Sequence, residues 1–136
     1  MAEIVCDSNI WIALLNTTDS LNEKATKAIE EQEQRGNKFV INNYIDLECI
    51  SVLVNRIDFK ASQQWIAFRK KVDTIRTTCV REDDHQGIIE LFLQLKNNHL
   101  SFTDISLIAL AQQGFPILTF DQYLKRALKK MKLPLA

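Results

Sequence analysis

The chain has 136 residues, 46% hydrophobic and 25% charged, which is the size and balance of one globular domain with its own core. Only three glycines and two prolines occur, which excludes collagen-like and low-complexity chains. Seventeen basic residues balance seventeen acidic ones at a pI near 6.7, so any grip on nucleic acid has to be local rather than a general attraction.

In chain order, Glu3–Cys6 is short, β-branched and closed by Asp7, the pattern of a strand buried in a sheet. Ser8 can cap a helix from Asn9 to about Leu15. The polar stretch Asn16–Asp19 reads as a turn. Ser20 then starts a second helix that runs through Glu23–Arg35 and stops at Gly36. Phe39–Ile41 is the second strand, and Asn42 or Asn43 caps a helix over Tyr44–Arg56. Apolar residues lie on most sides of that helix, which predicts a place inside the domain. A helix fits Lys60–Val72, a strand Thr77–Val80, and a helix Asp84–Asn97 with Ile88, Leu91, Phe92 and Leu95 at core spacing. Thr103 caps a helix ending near Gly114, Pro116–Thr119 is a strand, and Gln122–Met131 is a basic helix.

Strands alternate with helices and lie too far apart for hairpins. That predicts an α/β fold, a short parallel sheet covered by helices on both faces. No repeat or linker divides residues 1–136, so one domain is expected. The opening MAEIVCDSN is not a signal peptide and no apolar run reaches membrane length, so the expected location is cytoplasmic, with no membrane partner. Cys6, Cys49 and Cys79 form no CxxC pair and read as small buried hydrophobes. His85 and His99 have no metal-ligand spacing and read as surface or loop residues, and Arg69–Lys71 as a solvated run. Trp11 and Phe102 read as core or dimer packing. Lys125, Arg126, Lys129, Lys130 and Lys132 make the last helix basic and read as a solvated face well placed for the helix dipole; because that helix begins beside Asp121, contact with nucleic-acid phosphates is the alternative.

Ligands of open α/β sheets bind outside the carboxyl ends of the strands. Asp7 follows the first strand and Asp121 the last, while Asp104 sits in the first turn of a helix. Each has an ordinary explanation as a cap or a partner of the helix dipole. Glu48 resists that explanation. At 100° per residue it shares a face with Tyr44, Val52 and Asn55, and Asp46 points almost the opposite way. A buried carboxylate without a partner is costly, and a divalent cation removes the cost. Clustered carboxylates supply the hard oxygen donors that Mg²⁺ or Mn²⁺ prefers.

These residues resemble the PIN domain family, especially the VapC-like toxin ribonucleases. The resemblance rests on VCDSNIWIALL, on the acid in NNYIDLECISVL, on LSFTDISLIALAQ and on ILTFD, and it spans essentially the whole chain. Its most specific part is the last pair of motifs, with Asp104 and Asp121 separated by 17 positions. It implies a three-layer α/β/α sandwich and Mg²⁺- or Mn²⁺-dependent endoribonuclease activity. Asp7, Glu48, Asp104 and Asp121 fall at the family's acidic positions, as metal-binding and catalytic groups, and Asn9 and Thr119 where supporting polar residues occur. It also implies an RNA substrate, a homodimer and a small antitoxin that covers the groove. Two departures stand out: no His near Leu21–Asn22, and no clear final strand in Lys132–Ala136, which contains Pro134. The alternatives are a non-catalytic PIN-fold binding module, in which acids would be lost, and a phosphoacceptor domain, which would need an acidic pair at Asp7 where Ser8 and Asn9 stand.

Overall fold

A computed structural model describes residues 2–136. Its sheet has four parallel strands, β1 (Glu3–Cys6), β2 (Lys38–Asn42), β3 (Ile75–Thr78) and β4 (Ile117–Leu118), in the order β3-β2-β1-β4. Seven helices connect and follow them: α1 (Ser8–Leu15), α2 (Asn22–Gln34), α3 (Asn43–Arg56), α4 (Phe59–Lys71), α5 (Glu82–Leu95), α6 (Phe102–Gln112) and α7 (Gln122–Lys130).

The layering follows from the handedness of parallel crossovers. From β1 through β2 to β3 the chain steps one way along the sheet; from β3 it crosses back over β2 and β1 to β4. Right-handed connections therefore put α1–α4 on one face and α5–α6 on the other. The packing agrees: α1 meets α2, α3 and α4, while α6 meets α5 and α7 and touches α3 as well. The result is the α/β/α sandwich. Its centre is dry, with Val40, Val5 and Ile117 wholly buried in register across the sheet and Cys6 and Ile41 wholly buried beside them. Trp11 joins this core, its ring edge-on to Phe39 and tilted against Trp65.

Reversal of strand order between β1 and β4 creates the switch point where open sheets bind ligands, outside the carboxyl ends of these two strands. The C-terminal segment extends this edge. Ile117 N–H donates to the Pro134 carbonyl at 3.1 Å and Ala136 N–H to the Ile117 carbonyl at 2.9 Å, a single parallel bridge at Leu135. The final strand missing from the sequence pattern is thus reduced to one residue pair, because Pro134 supplies a carbonyl but no N–H.

Several local expectations are corrected. Asp7, not Ser8, caps α1, and Ser101, not Thr103, caps α6. Helix α2 begins at Asn22 rather than Ser20, because Asp19 accepts the Leu21 N–H at 2.8 Å and holds a turn. Strand β3 ends at Thr78, two residues earlier than expected, where it runs out of pairing with β2 at Asn42. Helix α3 buries one face only, through Ile45, Cys49 and Leu53; Leu47 is 65% exposed. On α5 only Ile88 is fully buried, and Phe92 is exposed. Cys6 and Cys49 are buried thiols, but Cys79 is exposed just beyond the short edge strand.

Candidate active site

Each acid is delivered by a different element. Asp7 leaves the end of β1 almost fully buried. Its Oδ1 accepts the Ser8 N–H at 2.7 Å, and its Oδ2 accepts the Thr119 hydroxyl at 2.7 Å and the Asn9 amide at 3.1 Å. Thr119 Oγ1 in turn accepts the Asp121 N–H at 3.1 Å, while Asn9 Oδ1 accepts the Phe120 N–H at 3.3 Å. Asn9 and Thr119 therefore knit the segment after β1 to the segment after β4. On α3, Glu48 Oε1 accepts a short hydrogen bond from the Ser8 hydroxyl. Asp104 lies in the first turn of α6, where its Oδ2 accepts the Ser101 N–H at 2.9 Å in a capping box. Asp121 caps α7, its Oδ1 accepting from the N–H groups of Tyr123 and Leu124 at 2.8 and 3.2 Å.

These four carboxylates line one cavity of about 450 Å³ at the switch point. Burial pushes Asp7 up from 3.8 to about 7, against the lowering effect of the Thr119 hydrogen bond; the charges of Asp104 and Glu48 push it further up. Asp104 is raised chiefly by burial, with Asp121 and Glu48 adding to the rise and the bonds from Ser101 opposing it. The acids thus repel one another in a partly dry cleft. Among the described residues no three His, Cys, Asp or Glu side chains converge closely enough to hold a metal ion as they stand. Three oxygens nevertheless accept no hydrogen bond there: Glu48 Oε2, Asp104 Oδ1 and Asp121 Oδ2, each the second oxygen of a carboxylate whose first is engaged. Hard oxygen donors, mutual repulsion and free lone pairs fit a divalent cation. Convergence on one ion requires those carboxylates to turn.

Residues 4–130 match the family model of the PIN domain. This chain belongs to the PIN domain family. The solved structure of VapC20 from Mycobacterium tuberculosis, a toxin that cleaves the sarcin–ricin loop, is similar with a TM-score of 0.81 and 21% identity, over 91% of this chain and 94% of that one. A chain of VapBC2 from Rickettsia felis, solved bound to a DNA fragment from its promoter, matches with a TM-score of 0.64 and 14% identity, over 93% and 92% of the two chains. At these identities the likeness is one of fold. No curated protein matches the sequence.

In this PIN domain the four acids picked out by motif position come together at one cavity, while Thr119 stands behind the lining, bonded to Asp7, Asn9 and the Asp121 backbone. Asp46 faces away from it. Its Oδ1 accepts the Trp65 indole N–H at 2.8 Å and sits 2.8 Å from Arg69 Nε, an ion pair without hydrogen-bond alignment, so Arg69 is not merely solvated. Asp19, Arg56 and His99 also line the cavity, and sequence reasoning missed all three. For Arg56 a signal existed, since it lies two turns beyond Glu48 on α3. Asp19 and His99 sit in loops, where no periodicity reports which way a side chain faces. His85 is half-buried rather than loose: its Nδ1 and the Tyr44 hydroxyl share a short hydrogen bond, and Phe102 packs edge-on against its ring.

Proposed function

We propose that this chain is a divalent-metal-dependent endoribonuclease, acting as one domain over residues 1–136 and serving as the toxin of a toxin–antitoxin pair. The observation that carries the reading is the convergence of Asp7, Glu48, Asp104 and Asp121, from four separate elements, on one cavity at the switch point of a PIN fold. The fold likeness to an RNA-cleaving toxin and to a chain of a VapBC complex supports the substrate and the antitoxin partner. Homodimer formation belongs to the same reading. So does a cytoplasmic location, consistent with the lack of any helix long and apolar enough to cross a membrane among the described residues.

Asp7, Glu48, Asp104 and Asp121 would hold Mg²⁺ or Mn²⁺, Asp7 at the dry base and the other three through their free oxygens. Bound there, the ion would polarise the scissile phosphodiester and lower the pKa of an attacking water. The chain's own groups prepare that site. Thr119 and Asn9 fix the rotamer of Asp7, the Thr119 hydroxyl favours its charged form, Ser8 orients Glu48, and Arg56 is the one Lys or Arg among the described residues lining the cavity, placed to meet a phosphate. A bound cation would also account for RNA chemistry in a chain of zero net charge, because the ion would draw the phosphate to a cleft that is itself acidic.

Purified, antitoxin-free protein is expected to cleave cellular RNA with Mg²⁺ or Mn²⁺ and to be silent in chelator. Asp104→Asn should remove the activity while leaving the fold intact. Absence of cleavage with either metal contradicts the reading. A non-catalytic PIN-fold binding module is the competing one, and a single observation favours it: Asp7, Asp104 and Asp121 are engaged in helix caps, and the four carboxylates are not gathered at ligating distance. Retained RNA binding without any metal-dependent turnover is the outcome it predicts.

A further inference from the structure

His99 and Tyr123 form a stacked pair beside the acids. Their ring centroids are 4.3 Å apart and the planes differ by 9°. The pair joins the two segments that deliver Asp104 and Asp121. His99 lies two residues before Ser101, the cap of α6, and its loop is held by the Asn97 side chain, which accepts the His99 N–H at 2.8 Å, and by buried Leu100. Tyr123 is in the first turn of α7, its N–H donating to Asp121. The Arg126 guanidinium lies 5.7 Å from the centre of the Tyr123 ring and braces it further.

The two rings have different surroundings. His99 is exposed and lines the cavity with the acids, whereas Tyr123 does not reach that cavity. One face of the imidazole is therefore covered by the phenol, while the residue as a whole stays exposed beside the cavity. Flat rings stacked next to a phosphate-cleaving centre suit one class of ligand. Unpaired bases of RNA are splayed out and stacked on aromatic or histidine side chains, and such stacking tolerates any base.

We propose that His99, backed by Tyr123, is a stacking platform for an unpaired nucleobase of the RNA, adjoining the phosphate held at the acids. The inference rests on the ribonuclease reading above. His99 is then a positioning residue: it fixes which phosphate reaches the carboxylates and takes no part in proton transfer.

The test uses an RNA oligonucleotide that the wild-type protein cleaves, with its bases removed one at a time to give abasic sites. At one position base removal should raise the wild-type KM by about 5- to 150-fold, the range for losing one base–aromatic stack. His99→Ala should raise KM on intact RNA by a similar factor, with kcat little changed, and should no longer respond to base removal at that position. His99→Phe, which stacks but cannot carry a proton, should keep the wild-type KM and pH profile. An unchanged KM in His99→Ala overturns the proposal, as does continued sensitivity of that variant to the abasic site. Equal loss of kcat in His99→Ala and His99→Phe also overturns it, by assigning the ring to proton transfer. If wild-type protein cleaves no RNA, the ribonuclease reading itself falls. Normal cleavage with an indifferent His99→Ala sinks the platform alone.

Discussion

Asp7 and Asn42 occupy equivalent places. Each stands at the carboxyl end of a central parallel strand, has an extended backbone, is buried, and caps the helix that follows. Asn42 completes its bonding neutrally, its Oδ1 accepting the Ile45 N–H at 2.8 Å and its Nδ2 donating to Ser106 Oγ at 3.0 Å. Asp7 brings a charge to the same kind of position and meets other carboxylates. The cavity beside Asn42 contains a single acid, Asp84, whereas that beside Asp7 contains Asp7, Asp19, Glu48, Asp104 and Asp121. An amide satisfies the fold at such a corner. A carboxylate there costs stability, and on the reading proposed above that cost marks a place prepared for a cation.

Exchanging the two chemistries tests that contrast, and the largest effect is expected at Asp7. Asp7→Asn should lower metal-dependent RNA cleavage by more than about 100-fold, the upper end for losing a group that only supports a metal ligand. In chelator at pH 8 the same variant should unfold at an equal or higher urea concentration than wild type. A variant that is inactive because it is unfolded would undo the comparison. The reverse change, Asn42→Asp, should destabilise the protein by about 3–5 kcal/mol at pH 8, since it buries a charge with no cation beside it. Acid should relieve much of that loss by protonating the new carboxylate, and chemical denaturation at pH 5 and pH 8 measures both effects.

A third effect is intrinsic to the wild-type protein. A carboxylic acid held above its unfolded value contributes stability that is complete below that value and lost as pH rises through the folded one. For Asp7 the window runs from 3.8 to about 7. Metal-free protein should therefore lose on the order of a few kcal/mol between pH 4 and pH 8 from this group alone. Mn²⁺ should restore stability at pH 8, and urea titrations with and without chelator read the difference. The smallest effect is expected at Thr119, whose hydroxyl favours the charged form of Asp7. Thr119→Val should lower activity about 10- to 100-fold near neutral pH, with partial recovery at higher pH. A flat pH response would detach Thr119 from Asp7.

The alternation of strands and helices was legible because periodicity reports burial, and the parallel sheet followed from the spacing. The elements that escaped depend on non-local detail. Ser8 against Asp7, and Thr103 against Ser101, are choices between side chains one or two positions apart with similar capping ability, decided by which backbone turns extended where the preceding segment ends. Helix α3 reads as lying inside the domain because it is apolar on several sides, yet α4, α1 and the sheet bury only the face carrying Ile45, Cys49 and Leu53 and leave Leu47 and Val54 exposed. Cys79 follows an edge strand too short to enclose it. At the cleft, the four acids carried a motif, whereas His99 and Asp19 became neighbours of the acids only through loop geometry.

The central claim is that the four carboxylates act together on a divalent cation, and calorimetric titration with Mn²⁺ tests it most directly. Saturable binding by wild-type protein at pH 8, abolished or strongly weakened in folded Asp7→Asn and Asp104→Asn, is the predicted result. No binding by the wild type, or the same binding in all three proteins, would contradict it.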